Sequence, residues 1–404
     1  LDAGAVNTVD ASAFTKALTV ATSNDVLNDA THVLKGGTDS DILSITADNT
    51  AAATVSGIED FETIQTVLAA GGFKWTSHDN NVDSGNTQTI NATSLDDDIL
   101  TFNGSAENDG NFIINVNSTG NHVVTLGNGN DQYTSTGLTA DDNVTATAGN
   151  NTINVGAGAN TVTGGTGNDT IIGGAGIDTF KFVTANLTSL DTLTGGDGVD
   201  ILTLTDNSTI ADDDFTLATS IETVSQANAT ETMTIVLGAL ADAAGVVTLT
   251  GNGAANDSFT AGAAFNNALE INVGTGNDTI NATASSSVVT VKTTEAGITA
   301  NDDWTGGTGA ADELVITGDG GTISAAEMAN IEKFEKISFV GDTAVSIALN
   351  AANVASGATL TVDGAILTSA VLTLDAANIA STGTVIINNT GTGNHSITLG
   401  NGND

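Results

Sequence analysis

An all-β protein assembled from tandem repeats is what this sequence predicts, and three observations carry the prediction. Gly supplies 47 of 404 residues while Pro is absent and aromatics make up 4%. The remainder is dominated by Thr, Asn, Asp, Ala, Val, Ile and Leu, turn formers interleaved with strand formers. Large apolar side chains return every nine residues over part of the chain, and longer stretches recur at much greater spacing.

Composition bounds the alternatives. With 40% hydrophobic residues the chain is too apolar and too regularly patterned for simple disorder. So few aromatics make a large globular core hard to build. The formal net charge is −41, from 48 acidic against 7 basic residues, so compaction concentrates self-repulsion that something cationic should neutralise. Seven scattered basic residues give no footprint for nucleic acid or for an anionic membrane surface. No stretch approaches the roughly 18 apolar residues that span a bilayer. The absence of Cys removes disulfides, zinc-thiolate sites and thiol catalysis. The chain begins with Leu1, and no basic-then-apolar leader precedes Asp10, which reads as a mature or partial segment.

Self-similarity exists at two scales. The stretch Val123–Asp131, VVTLGNGND, returns as Ser396–Asp404, SITLGNGND, each after Thr-Gly-Asn-His, with a looser copy at 246–257. A second element, Ile58–Ile64 (IEDFETI), returns at Ile221–Val224 (IETV) and Ile331–Ile337 (IEKFEKI). The outer copies of both share an offset of 273 residues. Three related units follow, 1–134, 135–260 and 261–404, the last ending on a half-finished repeat, as in a slice of a longer array. Ile58, Phe61, Ile64 and their counterparts Ile331, Phe334 and Ile337 are expected in the core of a turn closing each unit.

The short period carries the chemistry. Residues 146–181 divide into four nine-residue steps beginning at Ala146, Val155, Gly164 and Gly173. The fourth place holds Gly149, Gly158, Gly167 and Gly176; the sixth Asn151, Asn160, Asp169 and Asp178; the eighth Ile153, Val162, Ile171 and Phe180. A glycine-rich hexapeptide that turns, followed by a three-residue strand whose middle residue points inward, satisfies both regularities.

These steps resemble the RTX nonapeptide G-G-x-G-x-D-x-U-x of calcium-binding β-rolls. The best copies are Gly164–Ile172 (GGTGNDTII) and Gly173–Lys181 (GGAGIDTFK), with single copies at Gly36–Leu43, Gly195–Leu202 and Gly274–Ile280, and a stretched one at Gly306–Leu314. The arrangement is also similar to bacterial S-layer and giant surface proteins of the RTX type. The resemblance implies a parallel β-solenoid, RTX β-roll-like, with its best roll at 146–204. It implies Ca2+ as the bound ion, with Asp169, Asp178, Asp200, Asp41, Asp278, Asp131, Asp404, Asn151, Asn160 and Asp312 as candidate ligands. Stacked carboxylates repel unless a cation sits between them, and calcium accepts six to eight hard oxygens in a tolerant geometry. Folding is then expected to be coupled to the ion.

Each candidate has a plainer reading. Any of these Asp residues could simply close a turn, and Asp96–Asp98 and Asp212–Asp214 could be calcium sites or solvated loops. His32, His78, His122 and His395 have no partner at a recognised catalytic spacing and are expected in turns or facing solvent. No HExxH, GxSxG or phosphate loop is present, and no enzyme activity is expected. The resemblance implies an extracellular structural protein of a bacterial surface layer, assembling with copies of itself and with calcium, and tied to cell-surface polysaccharide, if at all, through a part outside this chain. Its rivals are a stalk segment of a giant RTX adhesin and the carboxy-terminal part of a type I secreted enzyme or toxin.

Overall fold

A computed structural model describes residues 8–23, 32–46, 53–54, 57–67, 72–136, 139–251, 253–309, 311–318, 320–380 and 382–402. Two compact units result, one of 1–202 with 217–221, the other of 203–216 with 222–404. Each is a parallel β-solenoid, as the nine-residue rhythm predicts. The boundary marks compactness, a different property from the similarity that defines the three sequence units.

In the first unit, alternate strands go to alternate sheets. One sheet runs in chain order from Thr19–Ser23 through Gln132–Ser135, Thr152–Asn154 and Thr170–Ala175 to Ala218–Thr219. The other carries Leu100–Asn103, Val123–Thr125, Asn143–Thr145, Thr161–Thr163 and Thr179–Phe182. Register is parallel and set by the repeat: Ile153 pairs with Ile171 and then Leu193, while Val144 pairs with Val162 and then Phe180. The eighth-place side chains therefore form two inward columns, and Ile153, Val162, Ile171 and Phe180 are all buried. Their outward neighbours are mostly Thr and Asn, with Ile172 and Lys181 beside Ile171 and Phe180, in period-two alternation. The two sheets meet in the interior, where Phe102 and Phe112 pack edge to face at 4.9 Å.

The second unit repeats the plan. Strands from Thr223–Gln226 to Thr384–Asn388 form one sheet, those from Ser208–Ile210 to Ile331–Glu332 another, and Thr322–Ile323, Val345–Ala348, Leu372–Asp375 and Ser396–Thr398 a third. Among the described residues the only α-helical segment is Ala239–Ala244, its first turn held by Asp212, whose carboxylate accepts the N–H groups of Gly238, Leu240 and Ala241. Asp214 likewise accepts the Ala211 N–H, so these two acids serve turns, while Asp96 and Asp97 are exposed. Ile58, Phe61, Ile64, Ile331, Phe334 and Ile337 are all buried, as their recurrence predicts.

The fourth-place glycines are needed for two reasons. Gly149, Gly158, Gly167 and Gly176 have φ of 87°, 126°, 120° and 122°. Each also receives a carbonyl from the coil before: a Cβ on Gly176 would lie 2.1 Å from the Gly158 oxygen. Gly176→Ala should therefore cost about 3 kcal/mol, strain and clash together, whereas Gly85→Ala, with φ of 75° and no atom within 4 Å of the added carbon, should cost about 1 kcal/mol. Thermal unfolding of the two variants in calcium buffer checks this, and equal losses would contradict the stacking account.

Candidate metal sites

Where a turn enters a strand, the backbone N–H of the sixth-place residue has no strand partner. A buried N–H must find an acceptor, and here the sixth-place side chain of the following coil supplies it. In one column Phe112 N–H donates to Asp131 Oδ1 (2.7 Å), Asp131 N–H to Asn151 Oδ1 (2.9 Å), Asn151 N–H to Asp169 Oδ1 (2.9 Å), and Asp169 N–H to Asp191 Oδ1 (2.8 Å). In the opposite column Leu100 N–H donates to His122 Nδ1 (3.0 Å), His122 N–H to Asp142 Oδ1 (2.9 Å), Asp142 N–H to Asn160 Oδ1 (2.8 Å), Asn160 N–H to Asp178 Oδ1 (2.9 Å), and Asp178 N–H to Asp200 Oδ1 (2.8 Å). The second unit shows the same device: Met233 to Asp257, Asp257 to Asp278, Asp278 to Asp302, and Val289 to Asp312. Asp41 takes the Leu18 N–H at 2.7 Å and gives its own to Glu62. All of the aspartates and asparagines in these columns are at most 2% exposed.

The fifth-place residue does the reverse job at the surface. Asn130, Asn150 and Asn168 N–H groups donate to Asn111, Asn130 and Asn150 Oδ1 of the coil before, at 2.7 to 2.8 Å. A Gly-Asn-Asp turn thus ties its coil backward through the backbone of Asn and forward through that of Asp.

Once Oδ1 is committed, the second oxygen decides what each candidate can hold. In Asp41, Asp131 and Asp312 it accepts the N–H of Gly37, Gly127 (2.9 Å) and Gly307 (2.6 Å), which closes the turn. In Asp191 and Asp302 the N–H of Thr188 and Thr299 fills it, and in Asp142 the Tyr133 hydroxyl does so at 2.9 Å. Asp178 and Asp278 differ: their Oδ2 atoms are buried without a hydrogen-bond partner. Asp169 Oδ2 has no hydrogen bond of good geometry either, although the Gly165 N–H still favours its charged form. A buried carboxylate oxygen left open is costly unless a proton or a cation completes it. Burial pushes the Asp169 and Asp178 carboxyls up, and pushes Asp278 to about 7 and Asp131 to about 6.

These residues fit a hard cation. The open donors are carboxylate oxygens, which suits calcium over transition metals. Asn151 and Asn160 are built in differently, since their Nδ2 atoms donate to Asp169 Oδ1 (3.0 Å) and Asp178 Oδ1 (2.8 Å). They relieve the repulsion that two carboxylates eighteen residues apart would create. Asp200 occupies the same buried place as Asp178 one coil on, and Asp404 lies outside the described residues.

Several column members are not evident from the nonapeptide pattern: Asp142, Asp191, Asp257, Asp302, Glu62, His122 and Glu335, whose Oε2 accepts the Asp312 N–H at 2.8 Å. The signal they share is an acceptor two places before an inward apolar residue, as in Asp142-Asn143-Val144, Asp191-Thr192-Leu193 and His122-Val123-Val124. His122 corrects the expectation of a turn or solvent-facing ring: it is fully buried because its Nδ1 takes the column's acceptor place, and burial lowers its pKa. His395 does the same for the Leu372 N–H at 3.0 Å.

Two measurements bear on the columns. With chelator present, Asp278 binds a proton in the folded state between its ordinary 3.8 and about 7 that it has lost when unfolded. Stability should therefore be greater at pH 5 than at pH 7.5, falling as pH rises through that window; melts in calcium-free buffer at the two pH values check the sign. Asp278→Asn keeps an acceptor for the Asp257 N–H while removing the charge. It should raise the melting temperature in chelator at pH 7.5 and weaken calcium-induced stabilisation, a double effect that a mere turn residue would not give.

No curated protein and no solved structure matches the chain. Residues 136–180 and 189–206 match the RTX calcium-binding nonapeptide repeat in four copies, the segment that holds Asp169, Asp178 and Asp200, and calcium is the ion such repeats bind.

Proposed function

We propose that this chain is a structural protein of an extracellular bacterial surface layer, folding and assembling with bound calcium, and that it performs no catalysis. Asp169, Asp178 and Asp278 hold calcium through their second carboxylate oxygens, helped by turn carbonyls. The observation that carries the proposal is the pair of interior acceptor columns: some of the residues that tie coil to coil, Asp169, Asp178 and Asp278, also keep a buried carboxylate oxygen open for a cation, so the ion and the solenoid form together. In a low-calcium cytosol the net charge of −41 favours an expanded chain. Outside the cell, where calcium is in the millimolar range of weak extracellular sites, burial of the columns becomes favourable.

The exposed faces suit lateral contact between copies. They carry Thr and Asn in regular rows, and three of the seven Lys residues are engaged by neighbouring acids: Lys35 with Glu59, Lys292 with Glu270, Lys336 with Glu313 and Asp363. Acidic surfaces of one sign approach each other only across a shared cation, which assigns calcium a second role between subunits.

Calcium added to purified protein should produce ordered two-dimensional sheets in negative-stain electron microscopy, dispersed again by chelator. Isolated particles at every calcium concentration would favour the adhesin stalk or the secreted-enzyme segment. Circular dichroism should show the thermal midpoint of the β signal lowered by chelation at pH 7.5, and an unchanged midpoint would count against calcium-coupled folding.

A further inference from the structure

One acidic cluster lies apart from the nonapeptide turns. In the first unit the strands Phe73–Thr76 and Leu100–Asn103 pair in parallel, so the turns after them lie in neighbouring coils. The first turn carries Asp79 and the second Glu107 and Asp109. One carboxylate oxygen from each of the three lies within 4.8 Å of the others.

Glu107 is the unusual member. It is fully buried. Its Oε1 accepts the Gly110 N–H at 3.0 Å and, more weakly, the Asp109 N–H at 3.4 Å. Its Oε2 is buried with no partner. Asp79 and Asp109 are exposed, and Asp79 is held in place because its Oδ1 accepts both the backbone N–H (3.1 Å) and the Nδ2 (2.9 Å) of Asn108. Asp60 and Asp83 join Asp79 and Asp109 along the adjoining groove, adding negative potential at the mouth.

From this geometry we infer that Asp79, Glu107 and Asp109 form a calcium site that clamps the two turns together, outside the repeat pattern. The buried Glu107 oxygen supplies the inner ligand, and the two exposed aspartates close over the ion from either coil. Three carboxylates without His or Cys select a hard divalent cation, and an open, partly hydrated site tolerates calcium better than magnesium. Asn108 sets the position of Asp79 by occupying one of its oxygens. Burial and the two neighbouring acids push the Glu107 carboxyl up, the condition that a bound cation would relieve.

Calcium counting by native mass spectrometry on the whole chain tests the site. Asp79→Asn/Asp109→Asn changes only exposed groups and should bind one ion fewer than the parent, with an unchanged circular dichroism spectrum. Glu107→Gln keeps an oxygen for the Gly110 N–H and should lose the same ion. Asp178→Asn removes a nonapeptide carboxylate and should leave this ion in place, so failure here and failure of the nonapeptide sites are separable. A parental ion count in both the double variant and Glu107→Gln would overturn the site, leaving Glu107 as a buried protonated acid.

Discussion

The solenoid depends on one hydrogen bond repeated from coil to coil: a backbone N–H at the end of a turn, buried and outside the strand ladder, donating to a side chain of the next coil. Without an acceptor each such N–H would cost on the order of 1–3 kcal/mol, and one recurs in successive coils of both columns. Water cannot serve, because the same turn presses its glycines against the carbonyls of the previous coil. Asp, Asn, Glu and His all fill the place, as Asp178, Asn160, Glu62 and His122 show. What they share is a short side chain with an acceptor at the right reach. Charge is therefore a second property laid on a position that geometry had already reserved for a polar group.

That second property divides the columns into structural and ion-binding members. Where a Gly or Thr N–H, or the Tyr133 hydroxyl, takes the remaining oxygen, the carboxylate is satisfied by protein alone. Where the oxygen stays open, as in Asp178 and Asp278, burial favours the protonated form and a cation competes with the proton for the same place. Acid and calcium thus act on one group in opposite ways: acid satisfies the carboxylate by removing its charge, calcium by using it. The asparagines at 151 and 160 dilute the charge within each column by donating to the carboxylate one coil on.

The surface and the interior follow separate logics held in register by the nine-residue step. Inward aliphatic columns and the edge-to-face pair of Phe102 and Phe112 supply apolar burial. Outward Asn rows satisfy the turn backbone at the solvent boundary, each side chain accepting from the next coil. Exposed Leu190 ends the Asn row one coil after Asn168, and exposed Ile177 and Val199 hold the same fifth place beside Asp178 and Asp200 in the opposite column.

By itself the sequence determined the period, and with it the parallel coils, the inward Ile, Val and Phe columns and the left-handed glycines, because each of these is set by a residue type returning at fixed spacing. The burial of Ile58, Phe61 and Ile64 was legible for the same reason. It also marked Asp169, Asp178 and Asp278 as a chemical class. Only the tertiary structure decided which carboxylate oxygens remain open, since that depends on whether a Gly, Thr or Tyr donor from the same turn or another strand reaches them. It likewise decided that His122 and Asp142 belong to a column and that Glu107 meets Asp79 from the next coil. Those contacts join residues about twenty to thirty positions apart through coils of unequal length, as in the 18-residue step from Asn160 to Asp178 and the 22-residue step from Asp178 to Asp200, and no fixed spacing in the sequence records them.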